Sequence, residues 1–216
     1  MISQDSRLWG FVSLRPEISG LHVEREDHML GLIPTKFGAQ LRYLEMNADL
    51  VTLNVLQDLA KKCPNLTHLL LDFAQASQLH DFTDLSQFPT KLRFLALYLS
   101  DVIFLDNFMK RIYSYINGLE ALNIMGTYEK ADLEEGEVYE VINIKTLKQA
   151  TPNLRIINLY GINFLDDTHI EAFSSNCIQL QVSTMIISNH QTGGLTKICY
   201  ILKNVFFKAQ SLNMPK

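Results

Sequence analysis

The chain has 216 residues, of which 47% are hydrophobic and 19% charged, a composition that is typical of folded globular proteins and excludes a disordered chain. The three cysteines are too few for a disulfide scaffold and predict reduced thiols in a cytoplasmic or nuclear protein. No apolar run reaches the ~18 residues that a membrane-spanning helix needs, so we expect no membrane partner.

The net charge of −4 is unevenly distributed along the chain. Residues 181–216 contain four lysines and no acid, so the first 180 residues carry −8. An acidic body argues against binding to the phosphate backbone of nucleic acids. The change in charge also predicts a boundary near residue 180.

A six-residue pattern, Leu-x-x-apolar-x-apolar, recurs along the chain. Complete copies begin at residues 41, 66, 92, 119 and 154, which are 25, 26, 27 and 35 residues apart. An upstream copy is predicted at Ile18-Ser-Gly-Leu21-His-Val23, and a copy that begins at Leu180 has Ser183 in its fourth position. This spacing predicts a repeat array in which each unit supplies a strand and a helix.

Each copy predicts a short strand with alternate side chains in a shared core, so Leu44 and Met46 point inward while Tyr43 and Glu45 point outward. We expect the five strands to lie side by side in parallel. The segments that return to the next strand must cover the apolar face of the sheet, which favours amphipathic helices. Such helices are predicted over residues 53–62, 105–117, 141–150 and 168–176, with an irregular segment at 79–88.

The predicted fold class is therefore α/β: a leucine-rich repeat solenoid, a horseshoe arc of the ribonuclease-inhibitor type, with parallel strands on the concave face and helices on the convex face. We expect a lead-in over residues 1–17, repeats over 18–180, and a basic tail over 181–216. The longest unit carries an acidic insertion near 126–140, for which a solvated loop and an electrostatic contact with a basic partner segment are the two interpretations.

The tail has a spacing of apolar residues that predicts a separate amphipathic helix through Leu195, Ile198, Leu202, Val205 and Phe206. This helix would cap the last repeat, bind a membrane or a partner, or form a weakly packed ending. We favour the first or the third of these interpretations.

Two stretches end in Cys-x-x-Leu: Cys177-Ile-Gln-Leu180, which closes the stretch from Asn158, and Cys63-Pro-Asn-Leu66. They resemble the cysteine-containing leucine-rich repeat of F-box/LRR-repeat proteins, and the resemblance covers about residues 18–180. Asp5-Ser-Arg-Leu-Trp9 looks like the end of an F-box, where that domain leads into the repeats. Both cysteines are predicted to be small buried groups at helix ends.

The resemblance implies the substrate-recognition subunit of an SCF-type ubiquitin ligase, which acts in ubiquitin-dependent protein degradation. In that family the F-box docks on Skp1 and the repeats hold the protein substrate. A whole F-box does not fit before Asp5, so we expect Skp1–cullin binding from a longer parent and not from this chain. A leucine-rich repeat scaffold or inhibitor without a ligase connection is the alternative.

No catalytic motif stands out: the sequence has no His-Glu-x-x-His pair, no Gly-x-Ser-x-Gly and no phosphate loop, and its cysteines lack zinc spacing. We expect neither an enzyme nor a metal or cofactor. The outward strand positions are instead predicted to bind a partner protein, because aromatic residues and arginine are enriched at interfaces. The alternative is that the charges are solvated and the aromatic rings pack on their neighbours. The predicted partner-binding residues are Arg42, Tyr43, Glu45, His68, Asp72, Arg93, Phe94, Tyr98, Asn123, Met125, Arg155, Asn158 and Tyr160.

Overall fold

The computed structural model describes residues 5–15, 21–73, 82–99, 108, 111–126, 151–160, 179–189, 195–202 and 205–208. Within these ranges, nine strands form one sheet in which the spatial order is the chain order. The strands are β1 (Phe11–Ser13), β2 (Tyr43–Asn47), β3 (His68–Asp72), β4 (Phe94–Leu99), β5 (Ala121–Gly126), β6 (Ile156–Tyr160), β7 (Val182–Asn189), β8 (Leu195–Leu202) and β9 (Val205–Lys208).

The strands from β1 to β7 pair in parallel, each with the next along the chain. The repeat copies that begin at 41, 66, 92, 119 and 154 lead into β2 to β6, so the predicted side-by-side parallel order is confirmed. Parallel neighbours need a crossover segment between them, which the intervening 20 or more residues supply. The sheet is mostly parallel and its class is α/β.

One face of this sheet is the core. The fourth and sixth residues of each copy are almost fully buried, because strand alternation sends them to the same face. The leading leucine of each copy is buried with them and closes the same apolar cluster. The buried strand residues of the five copies are Leu44, Met46, Leu69, Leu71, Leu95, Leu97, Leu122, Ile124, Ile157 and Leu159.

Two helices lie between the first three strands. α1 (Glu26–Leu32) continues into a π-helical turn (Ile33–Phe37), and α2 (Leu53–Lys62) has the bounds that the sequence predicts. Thr52 begins α2, because its hydroxyl accepts a hydrogen bond from the Val55 N–H at 3.3 Å. The apolar stripe of α2 faces the core.

The other predicted helices have mixed outcomes. Over 105–117 the helix prediction is wrong at its end, because Arg111–Ile112 are helical but residues 113–115 form a turn. The irregular segment is confirmed for residues 82–88, which contain turns and no helix. The predicted helices at 141–150 and 168–176 lie outside the described residues, as does the acidic insertion after Gly126. Among the described helices, none has the length and apolar character needed to cross a bilayer.

The upstream copy is wrong: residues 21–25 form no strand, and the strand beside β2 is Phe11–Ser13. The register pairs Val12 with Leu44, so the first unit reads Trp9-x-x-Val12-x-Leu14, with all three of these side chains buried. Tryptophan takes the place of the leading leucine and packs on Phe37 with ring centroids 5.8 Å apart. The first strand therefore lies in the region predicted to be a lead-in.

The tail prediction of an amphipathic helix is also wrong. Val182–Asn189 pairs in parallel with β6, and β8 and β9 then pair antiparallel, each with the strand before it. The segments contain many β-branched and aromatic residues, which fit a pleated strand better than a helix. That preference outweighs the coincidental spacing of apolar residues from Leu195 to Phe206.

Cys63 lies at the end of α2 and is 2% exposed, which confirms its predicted role as a small buried group. Burial, and next the nearby Asp58 carboxylate, raise the pKa of its thiol to about 11. At pH 8 its thiolate fraction is then roughly a hundredfold below that of an ordinary cysteine. We expect iodoacetamide to alkylate Cys63 at least about a hundredfold more slowly in the native protein than in urea, as followed by peptide mass spectrometry. Equal rates in the two conditions would contradict this burial.

Candidate functional site

The sheet face opposite the core, here called the open face, presents its side chains in three rows across the strands. A row forms because parallel strands in register place equivalent side chains beside one another. The first row consists of Phe11, Tyr43, His68, Phe94, Ala121 and Ile156. The central row consists of Ser13, Glu45, Leu70, Ala96, Asn123 and Asn158. The third row consists of Arg15, Asn47, Asp72, Tyr98 and Met125, and Tyr160 follows in register.

Four rings of the first row form a continuous aromatic ladder: Phe11, Tyr43, His68 and Phe94. Phe11 and Tyr43 stack with ring centroids 3.9 Å apart, and the next two centroid distances are 6.2 and 5.8 Å. The ladder is open to solvent at its first ring, where Phe11 is 67% exposed. Ile156, farther along the same row, is 37% exposed. An exposed apolar strip of this kind is a typical contact surface for another molecule.

A buried carboxylate lies next to the ladder in the central row. Glu45 is 8% exposed and accepts hydrogen bonds from the Ser13 hydroxyl, at 2.6 Å, and from the Tyr43 hydroxyl. Burial and the bond to Glu45 raise the pKa of the Tyr43 phenol above its ordinary value. The phenol therefore stays protonated at physiological pH and remains a donor to Glu45. This network fixes the Tyr43 ring within the ladder.

An ion pair spans the third row. The Arg15 guanidinium lies 3.2 Å from the Asp72 carboxylate and 5.3 Å from the centroid of the Tyr98 ring. Both partners are partly buried, so water screens this pair less than it screens a surface pair. Farther along the central row, the Asn158 amide donates to the Asn123 side-chain oxygen at 2.8 Å. These contacts link β5 to β6 and the residues after β1 to β3 and β4 across the open face.

A row of arginines precedes the aromatic ladder at the amino ends of the strands. Arg42, Arg93 and Arg155, here called the arginine row, are exposed and lie on alternate strands. Backbone hydrogen bonds connect Arg42 to Arg93 through Thr67, and Arg93 to Arg155 through Glu120. Arg93 also pairs with Glu120 at 2.9 Å. Cationic side chains thus border the exposed rings along one edge.

The sequence-predicted residues are brought together on two surfaces. Nine of them lie in register on the open face, and Arg42, Arg93 and Arg155 lie along its edge. For Tyr160 only the backbone position is described. The role of these residues in partner binding stays a prediction. The nine on the open face are Tyr43, Glu45, His68, Asp72, Phe94, Tyr98, Asn123, Met125 and Asn158.

Sequence reasoning missed the residues of β1 and its extension, namely Phe11, Ser13 and Arg15. The signal was present in the pattern Trp9-x-x-Val12-x-Leu14, which differs from the other copies only by an aromatic leading residue. Leu70 and Ala96 of the central row were also missed. Both are buried, although they point away from the core.

The open face and its edge present aromatic rings, guanidinium groups and hydrogen-bonding side chains. Among the residues that the structure describes, no three His, Cys, Asp or Glu side chains converge as metal ligands. Scanning the chain against protein-family models gives no match, and a search of curated proteins gives none either.

Proposed function

We propose that this chain is a leucine-rich repeat arc whose open face is concave and binds a protein substrate. In this proposal, the chain is the substrate-recognition part of an SCF-type ubiquitin ligase. The observation that carries the proposal is the aromatic ladder, whose rings lie in register on a parallel sheet in chain order, with Phe11 and His68 exposed and Tyr43 and Phe94 partly exposed.

Curvature follows from the widths of the two layers. Parallel strands are about 4.8 Å apart, whereas packed helices need roughly 8–10 Å. Where α1 and α2 cover the core side, the sheet must bend toward its other face to accommodate them. The open face then lines the inside of the arc, where a partner contacts several strands at once.

The ladder is better explained by partner binding than by packing within the chain. A ring that served only its own fold would bury most of its area, but Phe11 remains 67% exposed. Tyr43 is held rigidly by Glu45, so little side-chain entropy is lost when a partner covers it. Aromatic anchors of this kind supply much of the binding energy at protein interfaces.

The ligase part of the proposal rests on the resemblance of the Cys-x-x-Leu endings to F-box/LRR-repeat proteins. In the first of these, Cys63 ends α2 and Leu66 enters the core just before β3. A helix that ends in Cys-x-x-Leu before a strand is the arrangement on which the resemblance rests. The alternative is a scaffold or inhibitor without a ligase connection. It would bind its partner through the same surface, but the partner would not be degraded.

To test the proposal, cells would express the tagged protein or its Phe11→Ser/His68→Ser variant, and co-purified proteins would be quantified by mass spectrometry. The control is Leu8→Ser, which removes a 63% exposed side chain from outside the open face. We expect a set of proteins to fall by about tenfold with the ladder variant and to be retained by the control. Equal recovery with all three proteins would remove the proposal.

The ligase and scaffold readings predict different fates for those ladder-dependent proteins. If the protein recognises ligase substrates, silencing its gene should lengthen their half-lives and reduce their ubiquitination. Half-lives that do not change would leave a scaffold or inhibitor as the function. The measurement is a cycloheximide chase in silenced and control cells.

A further inference from the structure

We infer that the segment bound by the open face is extended and acidic, with apolar side chains on the aromatic ladder and carboxylates on the arginine row. This inference rests on the proposed function and specifies the chemistry of its substrate. It follows from the position of exposed cations directly before partly exposed rings at the amino ends of the strands: Arg42 before Tyr43, and Arg93 before Phe94.

The cations at this edge are available to a ligand. Within the described residues, Arg42 and Arg155 form no ion pair, and Arg93 shares its guanidinium with Glu120 at the exposed surface. Lys91, two residues before Arg93, is exposed as well. A carboxylate can bind a guanidinium through two parallel hydrogen bonds, and this geometry suits acidic side chains.

The spacing of the arginine row fits an extended chain that crosses the strands. Arginines on alternate strands stand about 10 Å apart, which is twice the interstrand distance. An extended peptide in the polyproline II conformation has three residues per turn, so it covers about 9 Å in three residues and returns every third side chain to the same side. Acidic residues at every third position would therefore meet successive arginines, while the intervening side chains lie over the neighbouring row of rings.

The rings select what occupies the positions between the acids. Phe11, Tyr43 and Phe94 offer apolar faces and edges, so aromatic or large aliphatic side chains gain the most by covering them. A basic segment would bring its charges against the arginine row, where like charges repel.

The test uses fluorescein-labelled peptides and the full chain, with binding followed by fluorescence anisotropy. The probe is a peptide of repeated Asp-Phe-Ser triplets. Its controls replace every Asp with Lys, replace every Phe with Ala, or shorten the repeat to Asp-Phe so that the acids fall on every second residue. We expect each control peptide to bind at least about tenfold more weakly than the probe.

Variants of the protein locate the binding surface. Arg42→Glu/Arg155→Glu should weaken the probe by about tenfold and improve the Lys-Phe-Ser peptide, because the charges are exchanged. Phe11→Ser should also weaken the probe by about tenfold. Arg111→Glu is the matched control, since Arg111 is exposed but lies between β4 and β5, and it should change the affinity by less than about twofold. The melting temperature of each variant shows whether it is folded.

Several results would overturn the inference. They are equal binding of the Asp and Lys peptides, no effect of the charge-reversed variant, or tighter binding of oligothymidine than of the peptide. If the peptides fail but ladder-dependent proteins are still captured from cells, the proposed function stands and its substrate is not acidic. If capture also fails to depend on the ladder, both proposals are wrong.

Discussion

Replacement of Phe108 with alanine should lower the free energy of unfolding by about 3–5 kcal/mol, the range for deleting a buried aromatic ring. Phe108 is 1% exposed and lies at the centre of a cluster with Phe73, Phe82 and Phe88. Its ring centroid is 4.9 Å from that of Phe82 and 5.9 Å from that of Phe88. Removing the ring leaves a cavity that three other rings line and cannot easily fill.

The size of this effect follows from how the core is covered between β3 and β4. Residues 82–92, the described part of this crossover, contain no helix. The aromatic cluster and Leu85 supply buried apolar side chains to the core in this region. Such edge-to-face arrangements also contribute about 0.5–1.5 kcal/mol beyond area burial.

Urea unfolding monitored by circular dichroism would measure the change. Leu8→Ala serves as the control, because Leu8 is 63% exposed, and its free energy of unfolding should stay within about 0.5 kcal/mol of the parent. A loss below about 1 kcal/mol for Phe108→Ala would mean that the cluster does not stabilise the fold as described. Phe108→Leu should retain more than half of the lost stability, because it restores most of the volume.

The parallel core could be predicted because one physical signal dominated it. Each copy has leucine at its first position and apolar residues at its fourth and sixth, so the leading residue is buried and the other two alternate along a strand, as for Leu92, Leu95 and Leu97. The near-constant spacing then leaves room for one crossover between strands. Register followed automatically, because a shift of one residue would expose the whole apolar set.

The first unit and α1 were not predictable from that signal, because tryptophan and methionine replaced leucine. Trp9 closes the core in the place of a leading leucine, and Met29, Ile33 and Phe37 recur every fourth residue on the buried face of the helical segment. Placing a strand at Ile18–Val23 hid this helical period. In the tail, apolar spacing and β-branched content favour different structures, and the backbone follows the β-branched residues.

The candidate site also has one part that the sequence predicts and one part that it does not. Alternation alone predicts that Tyr43, His68 and Phe94 point away from the core, and the register stacks them. The sequence does not reveal that Glu45 is buried, because its burial depends on hydroxyls from two different strands. Three-dimensional neighbours, and not local pattern, decide which outward residue is exposed.

The network at Glu45 leads to the second large effect. The double variant Ser13→Ala/Tyr43→Phe leaves the size of both side chains, in the central and first rows, almost unchanged. It removes the two hydroxyl groups that donate to the Glu45 carboxylate. A hydrogen bond to a charged group contributes about 1.5–3 kcal/mol, and a buried charge without partners is strongly unfavourable. We expect the double variant to lose about 3–5 kcal/mol of unfolding free energy in urea.

A third substitution separates the charge from the loss of packing. Adding Glu45→Gln to the double variant leaves the side-chain volume almost unchanged but removes the unpaired charge, so about 2 kcal/mol or more should return. If the loss came from disturbed packing of the Tyr43 ring, the added glutamine would recover nothing. Because Phe at position 43 still stacks on Phe11, the double variant with glutamine should also keep the aromatic ladder. The hydroxyl–carboxylate network would then be needed to hold the strands, and not to form the ladder that we propose contacts a substrate.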